Sequence, residues 1–310
     1  DSGTVTVGGN LIATTDANNG VINLGTLAVD GTVQLTTNGN GAATVVNDAR
    51  LDFAASTVGG NLAATATTGN IVDSGVLTVT GTSSFTTSQN NADITLNNTN
   101  VLTGTVALNT SGAGGNALVD NGTTALNLAA STVGGNLTLT SGHASGIIDS
   151  STVTVGGNLV ATTDAANGVI TMDGLRVDGT VQLTTAGTGN ATVVNDAGLT
   201  FAAATVGGNL AATTNANNGL INLGTLAVDG TVQLTTNGSG DATVVNDAGL
   251  NFAASTVGGN LAATATTGNM TDSGALAITG TTTLTTSANN ATIALDTTTN
   301  AFTGAVTITT

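Results

Sequence analysis

Cysteine, proline, tryptophan, tyrosine, lysine and glutamate are all missing from this chain. Without cysteine there is no disulfide and no thiolate to bind metal or attack a substrate, which fits an extracellular bacterial protein that does not rely on disulfides. The only bases are Arg50 and Arg176, so no basic cleft can be built to neutralise phosphates, and nucleic acid is not an expected partner. The formal net charge of −16 opposes docking on anionic lipid as well. Charged residues make up 6% of the chain, too few for ion pairs to be a main source of stability. No run of about 18 apolar residues exists, so no helix spans a membrane and no membrane insertion is expected. A single histidine, His143, has no second histidine or cysteine to complete a metal site or a catalytic triad.

What remains is mostly Gly, Ala, Thr, Asn, Val and Leu, and it is repetitive. The stretch "VDGTVQLTT", Val228 to Thr236, returns in thirteen variants. Its third position is Gly in every copy: Gly9, Gly31, Gly60, Gly81, Gly104, Gly135, Gly157, Gly179, Gly208, Gly230, Gly259, Gly280 and Gly304. Its first position is apolar throughout, from Val7 to Phe302. Successive copies are 22, 29, 21, 23, 31, 22, 22, 29, 22, 29, 21 and 24 residues apart. Periods of this size signal a solenoid, a propeller or an array. Residues 7–110 recur as 206–309, and "NLGTLAVDGTVQLTTNG" occurs verbatim at Asn23 and Asn222, the mark of an internal duplication.

The local period is two. Val228, Gly230, Val232 and Leu234 share one face, and Asp229, Thr231, Gln233 and Thr235 share the other, which is a strand pattern. Thr and Val favour strands, while Gly, Asn and Asp punctuate them. Three short strands fit into each spacing, with extra length in turn segments such as "NGSGD" and "NDAG". A propeller blade needs four strands and about 40 residues or more. The expectation is therefore all-β: a right-handed parallel β-helix of about 13 coils of 21–31 residues, one per motif copy. It forms a single continuous solenoid over residues 1–310, a rod of roughly 60 Å at the strand spacing. The chain opens and stops inside a repeat and carries no leader pattern, so it is expected to be a segment of a longer protein.

The repeated glycines are expected at inward corners, where a Cβ would crowd the interior. Phe53, Phe85, Phe201, Phe252 and Phe302 are the large fillers among stacked Val, Leu, Ile and Ala. The eighth motif position is Thr in twelve copies: Thr14, Thr36, Thr65, Thr86, Thr140, Thr162, Thr184, Thr213, Thr235, Thr264, Thr285 and Thr309. All are expected outward, paving one flat face suited to lateral contact. Ice-binding solenoids pair two Thr in every coil, and the sixth position here varies among Ile, Gln, Ala, Ser, Thr and Val.

Recurrent carboxylates are Asp30, Asp178 and Asp229 at the second position, and Asp48, Asp196 and Asp247 in "VVND". Paired carboxylates suit glycosidase chemistry or calcium. The calcium-binding nonapeptide core is missing, and solvated turns explain these residues best. No catalytic, cofactor or metal residues are assigned, calcium being the one ion left open. Asn-x-Ser/Thr triplets at Asn97, Asn109, Asn121, Asn136, Asn190, Asn237, Asn269 and Asn290 are expected by chance in such a composition.

Strings such as "STVGGNLAATATTGN", "DSGALAITGTTTLTT" and "NAFTGAVTITT" resemble the β-strand repeats of large bacterial surface proteins, the filamentous-haemagglutinin-like and autotransporter-like adhesins. The resemblance spans the whole chain. It implies a right-handed parallel β-helix, export to the cell surface, and service as stalk, fibre or adhesin, with no catalytic residues to carry over. The leading expectation is a non-enzymatic extracellular rod of a surface fibre, whose partners are copies of itself end to end or side by side. The alternatives are an adhesin arm that binds surface glycans through its Thr/Asn face, and, further down, an ice-binding protein or a polysaccharide-active enzyme.

Overall fold

The computed structural model describes residues 1–310, and every element in it is a strand or a turn. The chain is a parallel β-solenoid of about 15 turns with no helix. It divides into two compact units, Asp1–Leu159 and Val160–Thr310. In each unit the strands form two parallel sheets enclosing a core of apolar side chains, several from every turn, such as Leu210, Ala212, Ile221, Leu223, Leu226 and Val228. Paired residues lie between 19 (Ala43 with Leu62) and 24 (Ala277 with Ala301) positions apart.

A typical turn has one straight strand and one that bends. In the second unit Leu210–Asn217 is straight. Asn218, at φ 56°, turns the corner. Ile221–Val228 follows and kinks at Gly224, φ 53°. Elsewhere the bent side splits into two short strands, such as Leu250–Phe252 and Ser255–Val257. The three strands expected per coil are thus one straight and one divided, and the divided side often runs through.

The coil count needs correcting, and the reason is informative. Thirteen motif copies are not thirteen coils. Where copies are 21–24 residues apart, the second stacks on the first: Thr14 pairs with Thr36, Thr65 with Thr86, Thr213 with Thr235 and Thr264 with Thr285. Where copies are 29 or 31 apart, the spacing exceeds one turn. The extra residues insert a second straight strand, and the motif moves to the opposite sheet. After Thr32–Asn38 comes the straight strand Ala43–Asn47 on the other sheet. The divided strand Leu51–Phe53 and Ser56–Val58 then lies on Thr32–Asn38. The next motif strand, Leu62–Ala66, stacks on Ala43–Asn47. Straight and bent sides have exchanged sheets. The same exchange follows Thr105–Ser111, Val181–Ala186 and Thr231–Asn237.

The interior follows the period-two pattern. Leu35, Phe53, Phe85, Val232, Leu234 and Phe252 are fully buried. The rings of Phe53 and Phe85 meet edge to face at 6.5 Å and 82°. Phe201 is buried too, and Phe302 in the last turn is half-buried.

Ser83 and Thr282, related by the duplication, occupy the fifth motif position, where other copies place Val or Leu. Both hydroxyl oxygens are buried without a partner. Thr282→Val keeps the shape and removes the orphan. It should raise stability by about 1 kcal/mol in urea unfolding. The exposed neighbour change Thr283→Val serves as the reference. A lower midpoint for Thr282→Val would show that the hydroxyl finds a partner.

Candidate functional site

The polar side chains of this molecule are mostly spent on its own neighbouring turns. At the corners a column of carboxamides caps the backbone of the following turn. Asn10 Oδ1 accepts from Thr32 N–H at 3.0 Å, Asn61 Oδ1 from Thr82 N–H at 2.9 Å, and Asn209 Oδ1 from Thr231 N–H at 2.8 Å. The third-position glycines lie against these caps. A Cβ on Gly31 would stand 2.4 Å from Asn10 Oδ1 and 2.5 Å from Gly9 O, and one on Gly230 would meet Asn209 Oδ1 at 2.4 Å. What excludes a side chain is therefore the stacked corner of the preceding turn, a correction to the expectation of an inward corner crowding the core. Gly9 has nothing within 4 Å.

Each of the four sheet exchanges carries two buried polar clamps. The first is an asparagine. Asn47 Oδ1 accepts from Val29 N–H at 2.9 Å, and its Nδ2 donates to Val29 O at 3.0 Å and to Arg50 O at 2.7 Å. Asn121 treats Leu102 in the same way, Asn195 treats Val177, and Asn246 treats Val228. The physical cause is a length mismatch. The straight strand that follows a bent one is too short to pair with its whole length, so the bent strand's last residue has no backbone partner above it. The carboxamide replaces the missing peptide group. The second clamp is the ninth-position threonine. Thr37 Oγ1 donates to Gly41 O at 2.7 Å and accepts from Gly59 N–H at 2.9 Å. Thr110, Thr185 and Thr236 repeat this toward Gly134, Gly207 and Gly258.

The eighth-position threonines all turn their side chains outward, and all but the exposed Thr14 and Thr309 are half-buried. They do not form one face. In the first unit Thr14 and Thr36 lie on one sheet, while Thr65 and Thr86 lie on the other. Thr140, after the second exchange, is back on the sheet of Thr36. In the second unit Thr213 and Thr235 share a sheet, and Thr184, Thr264, Thr285 and Thr309 lie on the other. Thr162 lies in the strand Leu159–Ala166. The ladders are extended by threonines outside the motif position. Thr36 continues to Thr57 and Thr78, and Thr65 and Thr86 continue through Asn109 to Thr132 and Thr154. The single twelve-residue Thr face is thus replaced by short ladders on two sheets.

Asp30, Asp48, Asp178, Asp196, Asp229 and Asp247 all sit exposed on turns. His143 is exposed, its Nδ1 accepting from Ser145 N–H at 3.0 Å within one turn. Arg50 donates to Asp52 Oδ2 at 3.0 Å. Arg176 is exposed on Ile170–Val177. Among the triplet asparagines, Asn121 is fully buried as an exchange clamp and is closed to modification. The clamps Asn47, Asn121, Asn195 and Asn246 are the residues that sequence inspection missed. The available signal was the repeated Asn that closes the straight strand, as in "VVND". The type of residue alone does not mark an exchange, since Asn100 in a spacing of 23 is fully buried and accepts from Leu77 N–H at 2.7 Å.

A family model described as repeats of unknown function (DUF5649) matches residues 40–109, 114–173 and 239–309. No curated protein matches the chain. No solved structure matches it.

Proposed function

The chain belongs to the family described as repeats of unknown function (DUF5649), and on that premise we propose that it is an extracellular structural protein, a β-solenoid segment of a cell-surface fibre. The observation that carries this is the use of its polar chemistry. Corner carboxamides and buried Thr are bonded to the next turn and buried Asn to the preceding one, and the recurrent carboxylates lie apart on exposed turns. Side chains so engaged hold a stack together and are not poised for a substrate. Fibres form by contact between copies, end to end or side by side. Negative-stain microscopy of the purified chain at rising concentration should show filaments. Compact monomers at every concentration, with a sedimentation coefficient that does not change, would count against the polymer.

A second reading is an adhesin arm, favoured by the outward run Thr65, Thr86, Asn109, Thr132 and Thr154 across successive turns. It presents hydroxyls and an amide at a spacing of about 4.8 Å. On this reading the chain binds a surface glycan on an array, and the triple change Thr65, Thr86 and Thr132 to Asp cuts the signal at least tenfold. A signal that survives the triple change, or none with the native chain, removes the adhesin reading.

A further inference from the structure

The long segment that carries each exchange occurs as near-copies, and two of them differ in an instructive way. In the first unit it reads "NDARLDF", and in the second unit's last exchange it reads "NDAGLNF". Arg50 thus corresponds to Gly249, and Asp52 to Asn251. The changes come as a pair. In the first copy the Arg50 guanidinium lies over the outer strand face and donates to Asp52 Oδ2 at 3.0 Å, with Arg50 60% exposed and Asp52 15% exposed. In the second copy the corresponding place is an open cleft of about 320 Å³. Its walls include Asp229, Gly249, Asn251, Asn269 and Thr271 over the buried Leu250. Asn251 keeps a buried side-chain oxygen without a hydrogen-bond partner, as Asp52 does.

We propose that the Asp229–Asn251 cleft receives a guanidinium group, an arginine side chain delivered by another protein chain. The first copy carries the occupant within its own sequence, while the second leaves the seat empty. The chemistry matches. Asp229 supplies a carboxylate at the rim, Thr271 a hydroxyl, and Asn251 an amide whose oxygen a donor can draw outward by a turn of its terminal torsion. A planar guanidinium can donate to several of these at once, which a compact ammonium cannot. The chain's net charge of −16 brings any cation toward it, and the cleft selects among cations.

The probe is N-acetyl-arginine methylamide, titrated into the isotopically labelled full chain and followed by amide NMR, with the lysine counterpart alongside. Saturable shifts are expected at residues 229–230, 248–251 and 269–271. The lysine probe should bind at least about threefold more weakly. Asp229→Asn should weaken the arginine probe by a similar factor. The double change Gly249→Arg with Asn251→Asp installs the first copy's ion pair and should abolish the shifts. A Cβ at Gly249 meets Asn269 O at 3.0 Å, a contact relieved by a small movement. If that variant does not fold, Asp229→Asn still decides. Shifts spread over all the carboxylates, equal binding of both probes, no saturable shift, or binding unchanged in Asp229→Asn would each overturn the proposal.

Discussion

Asn246→Leu should destabilise the second unit by roughly 3–6 kcal/mol, although leucine fills a similar volume and suits a core. Three backbone groups lose their partner together. Val228 N–H donates to Asn246 Oδ1 at 3.0 Å, and Asn246 Nδ2 donates to Val228 O at 3.0 Å and to Gly249 O at 2.6 Å. The Val228 N–H and carbonyl are buried and the Gly249 carbonyl is partly buried, so the two Val228 orphans cost about 1–3 kcal/mol each and the Gly249 carbonyl less. The damage should be local, because in a stacked array each turn contacts only its neighbours. Hydrogen exchange should quicken first around Val228 and Gly249 while turns further away keep their protection. Asn237→Ala is the reference. It removes an exposed bond to Asn215 O, and its effect should stay within about 0.5 kcal/mol. Equal effects for the two would mean that the buried carboxamide does not replace a backbone pair.

The second large effect belongs to the glycine that follows each exchange. Gly258 N–H donates to Thr236 Oγ1 at 3.0 Å. A Cβ there would stand 1.7 Å from Gly238 O and 2.9 Å from Gly238 C. Gly238 cannot retreat. It sits at φ 64°, and its own Cβ position is 2.4 Å from Asn218 Oδ1. The methyl of Gly258→Ala can be housed only by opening the gap between two turns, which breaks the corner bonds there. A loss of more than about 4 kcal/mol is expected, at the extreme of single substitutions. Gly59, Gly134 and Gly207 hold the same place and should respond alike, their Cβ positions lying 1.7, 2.0 and 1.7 Å from a carbonyl oxygen of the turn below. Gly198→Ala is the contrast. The nearest atom to its Cβ is Leu220 O at 3.6 Å, and φ is not in the left-handed region, so the change should be neutral or slightly stabilising. Chemical denaturation of both variants decides between a steric corner and a merely flexible one.

Much of this fold is legible in the sequence because its physics is local. Period two assigns Val232 and Leu234 inward and Gln233 and Thr235 outward, and both placements hold. The invariant Gly marks a corner, as Gly230 shows. What escapes local inspection is the vertical register. A motif spacing measures distance along the chain, while a coil is defined by which strand lies on which. The two agree at spacings of 21–24 and part company at 29 and 31. Inspection of "ATVVND" draws attention to Asp48, Asp196 and Asp247, which are exposed. The residue that matters is the Asn before each one, and its role depends on a bent strand one turn away. The Thr face fails for the same cause. Thr36 and Thr65 share a motif position but lie on different sheets, while Thr36 and Thr57, from different positions, are neighbours.

That contrast supplies the most direct test, and the lack of native cysteine makes it clean. Two double variants are compared, Thr36→Cys with Thr57→Cys, and Thr36→Cys with Thr65→Cys. Adjacent parallel strands bring Cα atoms to about 4.8 Å, within the range a disulfide spans. Thr36 and Thr57 are register partners, so the first pair should oxidise to an intramolecular disulfide in mild oxidant without loss of folded structure. The second pair should stay reduced or cross-link only between molecules. A fast intramolecular disulfide between positions 36 and 65, with none between 36 and 57, would mean that every motif copy stacks on the last and that the exchange of sheets does not occur.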